Sequence, residues 1–406
     1  MLRSSGLAHL LLPAGTSSEA GPLLAGRALR AFADGYMVIL LPAYLLGLGF
    51  GVWEVGVLSS ATLLGSALLT LAVGAWGHHA GQRRLLLAAA LLMAGTGLGF
   101  AGLSSFWPLL LVAFVGTLNP SAGDVSVFVP LEHARLAESA QGHARTTLFA
   151  RYSLAGALFA AVGSLLAGVP EWLGIAPLTA MRAMFVLYAL IGAGIWLLYR
   201  RLPVPPDGAA ETAPAPLGPS RSVVVRLAAL FSLDAFAGGL VVNSLLALWL
   251  FERFGVSLST AGVFFFWTGL LGAFSQLVAP WLAQRIGLLN TMVFTHIPAS
   301  LCLIGAAFAP SLPVAVALLL ARAATSQMDV PARTAYVIAV VTPPERAAAG
   351  SFTAVPRSLA AAVSPSLGGA LFAAGWLAAP LVACGALKIV YDVALWQAFR
   401  SRQIDG

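Results

Sequence analysis

Charge is what this sequence has least of. Its 406 residues include 22 Lys+Arg and 15 Asp+Glu, 9% of the chain, against 59% hydrophobic residues. A water-facing surface needs roughly a quarter of its residues charged. With mean hydropathy +0.91, a set of soluble domains of this length could not cover its apolar area. The solvent this predicts is lipid. Cysteine is nearly absent as well. Cys302 and Cys384 both sit in apolar segments, which excludes a disulfide framework and zinc-type spacing. No metal and no cofactor is expected: glycine runs such as Gly95-x-Gly97-x-Gly99 lack the preceding strand and final spacing of a dinucleotide loop. The formal net charge of +7 comes from basic residues that fall singly or in pairs, whereas nucleic-acid binders gather theirs into a dense patch. The apolar run Leu7 to Leu12, interrupted by His9, is shorter than a signal-peptide core, so the N-terminal segment reads as a cytoplasmic tail.

Apolar runs of about twenty residues, the length that crosses a ~30 Å hydrocarbon layer as helix, are abundant. Cutting at charge pairs and Pro/Gly/polar clusters predicts twelve spans, at about 28–50, 54–76, 84–104, 106–131, 146–169, 179–199, 223–251, 258–283, 288–308, 312–341, 347–374 and 377–399. Basic residues in the loops set the orientation. With the N-terminus in the cytoplasm, fourteen arginines fall on that side and only Arg182 and Arg253 on the other. Six cations remain inside spans: Arg30, Arg151, Arg322, Arg333, Arg357 and Lys388. Both termini are therefore expected in the cytoplasm, the protein lying in a bacterial-type inner (plasma) membrane. The segment Leu202–Ser220, rich in Pro, Ala and Gly, has no means of burying itself and predicts a flexible linker. The expected organisation is a tail (1–26), a six-helix bundle (27–200), a linker (201–222), a second six-helix bundle (223–400) and a short tail (401–406).

The two halves repeat each other. Asp34 answers to Asp234, Gly81 to Gly287, Asp124 to Asp329 and Arg151 to Arg357, at offsets of 200 to 206 residues. Two pseudo-symmetric half-bundles that rock about a midplane site give alternating access, which is a transporter architecture.

After the second span the chain reads Gly74-Ala75-Trp76-Gly77-His78-His79-Ala80-Gly81-Gln82-Arg83-Arg84. This is similar to the Gly-x-Leu-x-Asp-Arg-x-Gly-Arg-Arg loop of the major facilitator superfamily, and the chain resembles that family over nearly all its length. His78 stands at the family's acidic position, and Gln284 does so in the weaker second copy, Pro280–Gly287. The resemblance implies an all-α membrane protein of twelve helices in two bundles, and a carrier rather than an enzyme. The departure at His78 and Gln284 puts in question the cytoplasmic latch that the family's carboxylate provides. Ser364-Pro365-Ser366-Leu367-Gly368-Gly369 is similar to the Gly-Pro-x-x-Gly-Gly signature of family antiporters, although it lies in span eleven instead of span five. It speaks either for antiport or for close helix packing.

A charge inside a span costs several kcal/mol, so each must face a cavity or a partner. Asp124, Arg151, Asp329 and Arg357 recur in both halves and fall in the cytoplasmic half of the membrane. They are expected to form gating ion pairs, Asp124 with Arg151 and Asp329 with Arg357 or crosswise, or else permanent structural pairs. Arg322, Ser326, Asp329 and Arg333 share one face of span ten. Arg322 lies near the midplane, opposite Thr117 in the repeat. Its fixed fork of donors is suited to an anionic or carbonyl-bearing substrate, unless Asp329 or Asp34 neutralises it. Arg333, Ser326 and Arg30 are further substrate candidates. Asp34 and its counterpart Asp234 are the candidate proton-coupling carboxylates, unless Arg30 holds Asp34 ionised. Lys388 and Asp392, at i and i+4, are expected to neutralise each other. His296 is either a relay or a hydrogen-bonded packing residue. The functional expectation is a secondary carrier, monomeric, that exports a small organic molecule against protons. The alternatives are a proton symporter importing an organic anion and, outside transport, a membrane receptor or an intramembrane enzyme.

Overall fold

The computed structural model describes residues 16–76, 81–121, 126–203 and 217–400. His78 and Asp124 lie outside the described residues. The described residues form helices α1 (Ala20–Gly47), α2 (Val52–Trp76), α3 (Gln82–Gly102), α4 (Phe106–Val115), α5 (Phe128–Ser139), α6 (Gly142–Ser164) and α7 (Pro177–Tyr199). After the linker come α8 (Arg221–Gly239), α9 (Asn243–Phe254), α10 (Leu258–Ile286), α11 (Leu288–Ala307), α12 (Leu312–Ser326), α13 (Asp329–Val340), α14 (Arg346–Ala373) and α15 (Ala379–Phe399). There are no strands among the described residues.

Nine of the expected spans are long and apolar enough to cross a membrane by length and composition among the described residues. The fourth, tenth and eleventh do not meet that measure. The fourth is split into α4 and α5, the tenth into α12 and α13, and the eleventh is α14. Both inner half-helices open with proline in the first turn, Pro130 in α5 and Pro331 in α13. The ring needs no N–H there and cannot continue a helix running in from before it. A helix that stops and restarts gives up backbone hydrogen bonds inside the membrane, so such breaks occur where the backbone is covered by protein or faces a cavity.

The sequence repeat is a packing repeat. α1 packs on α6 and α7, and α3 packs on α7. In the second half α8 packs on α14 and α15, and α11 packs on α15. With little hydrophobic force between helices in lipid, close approach depends on small residues. A Cβ on Gly35 of α1 would lie 2.1 Å from the carbonyl oxygen of Ala160, and one on Gly163 of α6 would lie 2.0 Å from that of Phe32. Gly368, in the antiporter-like segment, does the same against the carbonyl of Leu240, where a Cβ would stand 2.4 Å away. In this protein the Gly368 position is thus a helix-packing site. The repeated glycines Gly81 and Gly287 both precede a helix with positive φ, 76° and 87°, so the repeat reaches the backbone conformation.

By internal contacts the chain divides into unit 1 (Met1–Leu48, Gly65–Asp207 and Leu258–Phe266) and unit 2 (Gly49–Leu64, Gly208–Ser257 and Trp267–Gly406). The start of α10 belongs to unit 1 because Glu171 accepts its first backbone N–H groups, from Leu258 at 2.6 Å and Ser259 at 3.1 Å. The start of α2 belongs to unit 2, where Gly56 lies against Gly369 and Ser59 Oγ is 3.1 Å from Ser244 Oγ. Large apolar side chains such as Trp107 and Leu190 are exposed, as a lipid-facing exterior requires.

Candidate functional site

Unit 1 buries a closed ion pair. Arg30 of α1 reaches Glu132 of α5 through both terminal nitrogens, at 2.5 and 2.8 Å. Tyr152 and Tyr199 donate their hydroxyls to the same carboxylate, and the Arg30 guanidinium lies over the Phe128 ring at 4.5 Å. Arg30 and Glu132 are 1% and 0% exposed, so this bidentate pair offers nothing to a solute. The placement differs from the substrate role expected for Arg30. Glu132 went unread because it stands one residue past the predicted end of span four, where it passed for a loop residue.

Asp34, one turn further along α1, is left without Arg30. It is buried at 5% exposure, makes no ion pair among the described residues, and its Oδ1 has no hydrogen-bond partner. Arg151 likewise keeps a buried Nη1 without a hydrogen-bond partner among the described residues. On the loop motif after α2, Gly74 is helical, Arg84 is exposed, and Arg83 donates to the Arg200 carbonyl at 2.5 Å, closing the end of α7. A cation at that end also meets the negative pole of the helix. Arg135, counted with the cytoplasmic loops, is buried in α5 and bound to Glu19 at 2.6 Å.

Unit 2 assembles its charges around a cavity of about 190 Å³. Arg322, Ser326, Asp329 and Arg333 all line it, as the shared face of span ten predicts. Asp234, His296, Arg357 and Lys388 join them from α8, α11, α14 and α15. Asp234 is held ionic: its Oδ2 accepts from Arg333 at 3.1 Å and its Oδ1 from Lys388 at 2.6 Å. It therefore does not share the unpaired state of Asp34. Asp329 pairs with Arg333 at 3.5 Å, one helical turn along. Arg357, expected to pair with Asp329, makes no ion pair or hydrogen bond among the described residues, and neither does the Arg322 side chain. Lys388 and Asp392 do not neutralise each other: Lys388 turns to Asp234, and Asp392 takes His296 Nδ1 at 3.1 Å. Partners on other helices win here: Lys388 meets the carboxylate of Asp234 at 2.6 Å, and Asp392 meets the Nδ1 of His296 at 3.1 Å.

The cavity wall carries four cations, Arg322, Arg333, Arg357 and Lys388, against two carboxylates, Asp234 and Asp329. Two positive charges stand in excess. Ser300, 2% exposed on the same wall, has a hydroxyl with no hydrogen-bond partner. Arg322 is half-buried and Arg357 exposed on this wall, so their charge is partly solvated, while an orphaned buried hydroxyl such as that of Ser300 costs on the order of 1–3 kcal/mol. An anion seated among these groups meets both the excess charge and the free hydroxyl. Among the described residues no group of His, Cys, Asp or Glu has the arrangement of a metal site.

Comparison with known proteins places the whole chain. The family model of the Major Facilitator Superfamily matches residues 23–327 and 232–403. An uncharacterized membrane protein of Saccharomyces cerevisiae is 23% identical, covering 90% of this chain and 91% of its own. The structure of a bacterial homolog of the human lysosomal transporter Spinster, inward-facing and occupied, superposes with a TM-score of 0.74 at 16% identity, covering 95% of this chain and 97% of that one. The human organic anion transporter MFSD10 superposes at 0.66 with 19% identity, over 93% and 98%. The all-helical fold with nine helices long and apolar enough to cross a membrane among the described residues agrees with that assignment, and this chain belongs to the Major Facilitator Superfamily of secondary transporters.

Proposed function

We propose that the protein carries a small organic anion together with a proton, by alternating access. The observation that carries this reading is the cation excess on the unit 2 cavity, where Arg322 and Arg357 are unpaired among the described residues and Ser300 has a free hydroxyl. Arg322, Arg357 and Ser326 bind the substrate, and Arg333 fixes Asp234 and Asp329 around it. A guanidinium pairs with carboxylate or phosphate oxygens two at a time, and a cavity of about 190 Å³ limits the cargo to a small molecule.

Asp34 takes the coupling proton in unit 1. A buried carboxylate without an ion-pair partner gains most by accepting a proton. Linkage then favours co-transport over exchange: neutralising a carboxylate makes the protein more positive, so proton and anion strengthen each other's binding reciprocally. Export against protons requires the two to compete instead. The Arg distribution supports both termini being cytoplasmic in a plasma membrane. One chain supplies both halves, which suits a monomer.

Ligand-induced stabilisation of the purified protein against panels of anions, cations and neutral compounds tests the substrate class. Stabilisation confined to anions supports it; stabilisation by cations or neutral compounds alone overturns it. For the anion that stabilises best, an inward proton gradient across proteoliposomes should accelerate uptake. Release accelerated by that gradient would establish exchange.

A further inference from the structure

Three atoms in unit 2 stand in a competing arrangement. Asp234 Oδ1 accepts from Lys388 Nζ at 2.6 Å, and His296 Nε2 waits 3.9 Å from the same oxygen. Lys388 Nζ and His296 Nε2 are themselves 3.3 Å apart. An ammonium has no lone pair to accept with, so Nε2 must be the acceptor in that contact. The single proton of the neutral ring is therefore on Nδ1, where it faces both oxygens of Asp392 at 3.1 Å.

Protonation reverses the contact. A proton arriving on Nε2 turns that nitrogen from acceptor to donor and sets an imidazolium against an ammonium at 3.3 Å. The imidazolium has two carboxylates to turn to. Nδ1–H already faces Asp392, which is 0% exposed, and Nε2 lies 3.9 Å from Asp234 Oδ1. Asp234 does not drift, because Arg333 Nη1 holds its other oxygen at 3.1 Å. Lys388 is the mobile member, a flexible stem whose side chain keeps 13% exposure and which already lines the cavity.

We propose that uptake of a proton by His296 displaces Lys388 from Asp234 and hands its ammonium to the cavity as a third substrate-binding cation beside Arg322 and Arg357. No covalent bond changes other than the new Nε2–H, and the cavity wall gains one positive charge. This rests on the anion reading of the cavity and deepens it. Proton and anion then meet in one unit, coupled through a single shared oxygen.

The other groups that face His296 are accounted for by element. From α15 come Lys388, Asp392 and the Tyr391 ring, whose centroid is 6.1 Å from that of the imidazole. From α8 comes Asp234, and from α12 and α13 come Arg322, Asp329 and Arg333 across the cavity, with Arg357 of α14. Asp329 is bound to Arg333 at 3.5 Å, and that arginine lies between it and the exchange.

Sulfate is the probe of choice because its charge is the same at the two pH values compared. Its binding to the purified full chain is read by thermal stabilisation at about pH 5.5 and about pH 8. Wild type should bind about tenfold more tightly at the lower pH. In an Asp34→Asn background, which removes the proton site of unit 1, His296→Gln and Lys388→Gln should each remove the pH dependence and leave binding near the weak, high-pH level, whereas Arg322→Ala should weaken it at both. Retained pH dependence in Asp34→Asn/His296→Gln overturns the exchange. Absence of sulfate binding in wild type at both pH values overturns the anion reading of the cavity instead. A second measurement needs no ligand and no altered fold: the ring ¹⁵N spectrum of His296 in nanodiscs, assigned by difference with His296→Gln. A neutral ring protonated on Nδ1 at high pH, becoming imidazolium at low pH, supports the exchange; a ring protonated on Nε2, or unchanged in charge, overturns it.

Discussion

The two units bury charge to opposite effect. In unit 1, Arg30 and Glu132 cancel, two tyrosine hydroxyls fill the remaining positions on the carboxylate, and no solute has a place there. In unit 2, Asp234 is shared among three basic groups and the wall still carries more cations than carboxylates. The repeat explains how this divergence is possible. Arg333 stands 205 positions after Phe128, the same offset that relates Asp329 to Asp124. At one register position a ring lies beneath Arg30 in unit 1, and a guanidinium holds Asp234 in unit 2. One scaffold thus supports a satisfied pair in one half and a deliberately unsatisfied one in the other. The first gives rigidity; the second is available for binding.

The comparison breaks most severely at Glu132. Glu132→Ala leaves Arg30 buried without a counter-charge, a loss of about 3–5 kcal/mol, read as a large fall in the thermal unfolding midpoint. Loss of stability no greater than that of Asp329→Asn would mean that the unit 1 pair is not the rigid element described. Next is the helix crossing. Gly163→Val should cost at least about 1–3 kcal/mol, because its Cβ would meet the Phe32 carbonyl at 2.0 Å; detergent-solubilised unfolding measures it.

Unit 2 should respond in function before stability. Arg322→Ala removes charge-assisted contacts worth about 1.5–3 kcal/mol to the anion, so the half-saturation for the best-stabilising anion should rise about tenfold or more, with the unfolding midpoint held. An unchanged half-saturation would sink the role given to Arg322. Asp34→Asn sharpens the contrast from the other side. With no ion pair to lose among the described residues, the protein should remain as stable as wild type while transport responds less to an imposed proton gradient; a response equal to wild type would remove Asp34 from the coupling.

The smallest effect lies outside the membrane. Glu345, in the short turn before α14, accepts hydrogen bonds from the backbone of Gly218 and Ser220 and from the Thr342 hydroxyl. The Ser220 and Thr342 side chains and the Gly218 backbone hold its carboxyl down to about 2. A depressed carboxyl stabilises the fold above its ordinary range and loses that contribution as pH falls toward about 2. Glu345→Gln should lower stability slightly at neutral pH, flatten the acid limb of the profile, and leave stability near pH 2 unchanged.

Much of the architecture was legible beforehand. Hydropathy and loop arginines located the spans. The spacing of Arg322, Ser326, Asp329 and Arg333 placed all four on one face, and all four line the cavity. The positive-φ glycines Gly81 and Gly287 confirmed the repeat to the level of backbone conformation. Pairing was harder to read. The i, i+4 rule joined Lys388 to Asp392, but each found its partner on another helix. Glu132 was lost to a helix boundary one residue short, and its true partner lies 102 positions earlier in the chain.

The scarcity of charge, then, determined by itself that this chain lives in lipid, because an apolar surface of this extent has no stable place in water. The repeat determined that it does so in two halves. Which charges meet was decided only by the tertiary structure. An ion in a low-dielectric interior is stabilised by the few ångströms to its nearest opposite charge, and sequence separation carries no information about that distance once helices a hundred residues apart lie side by side.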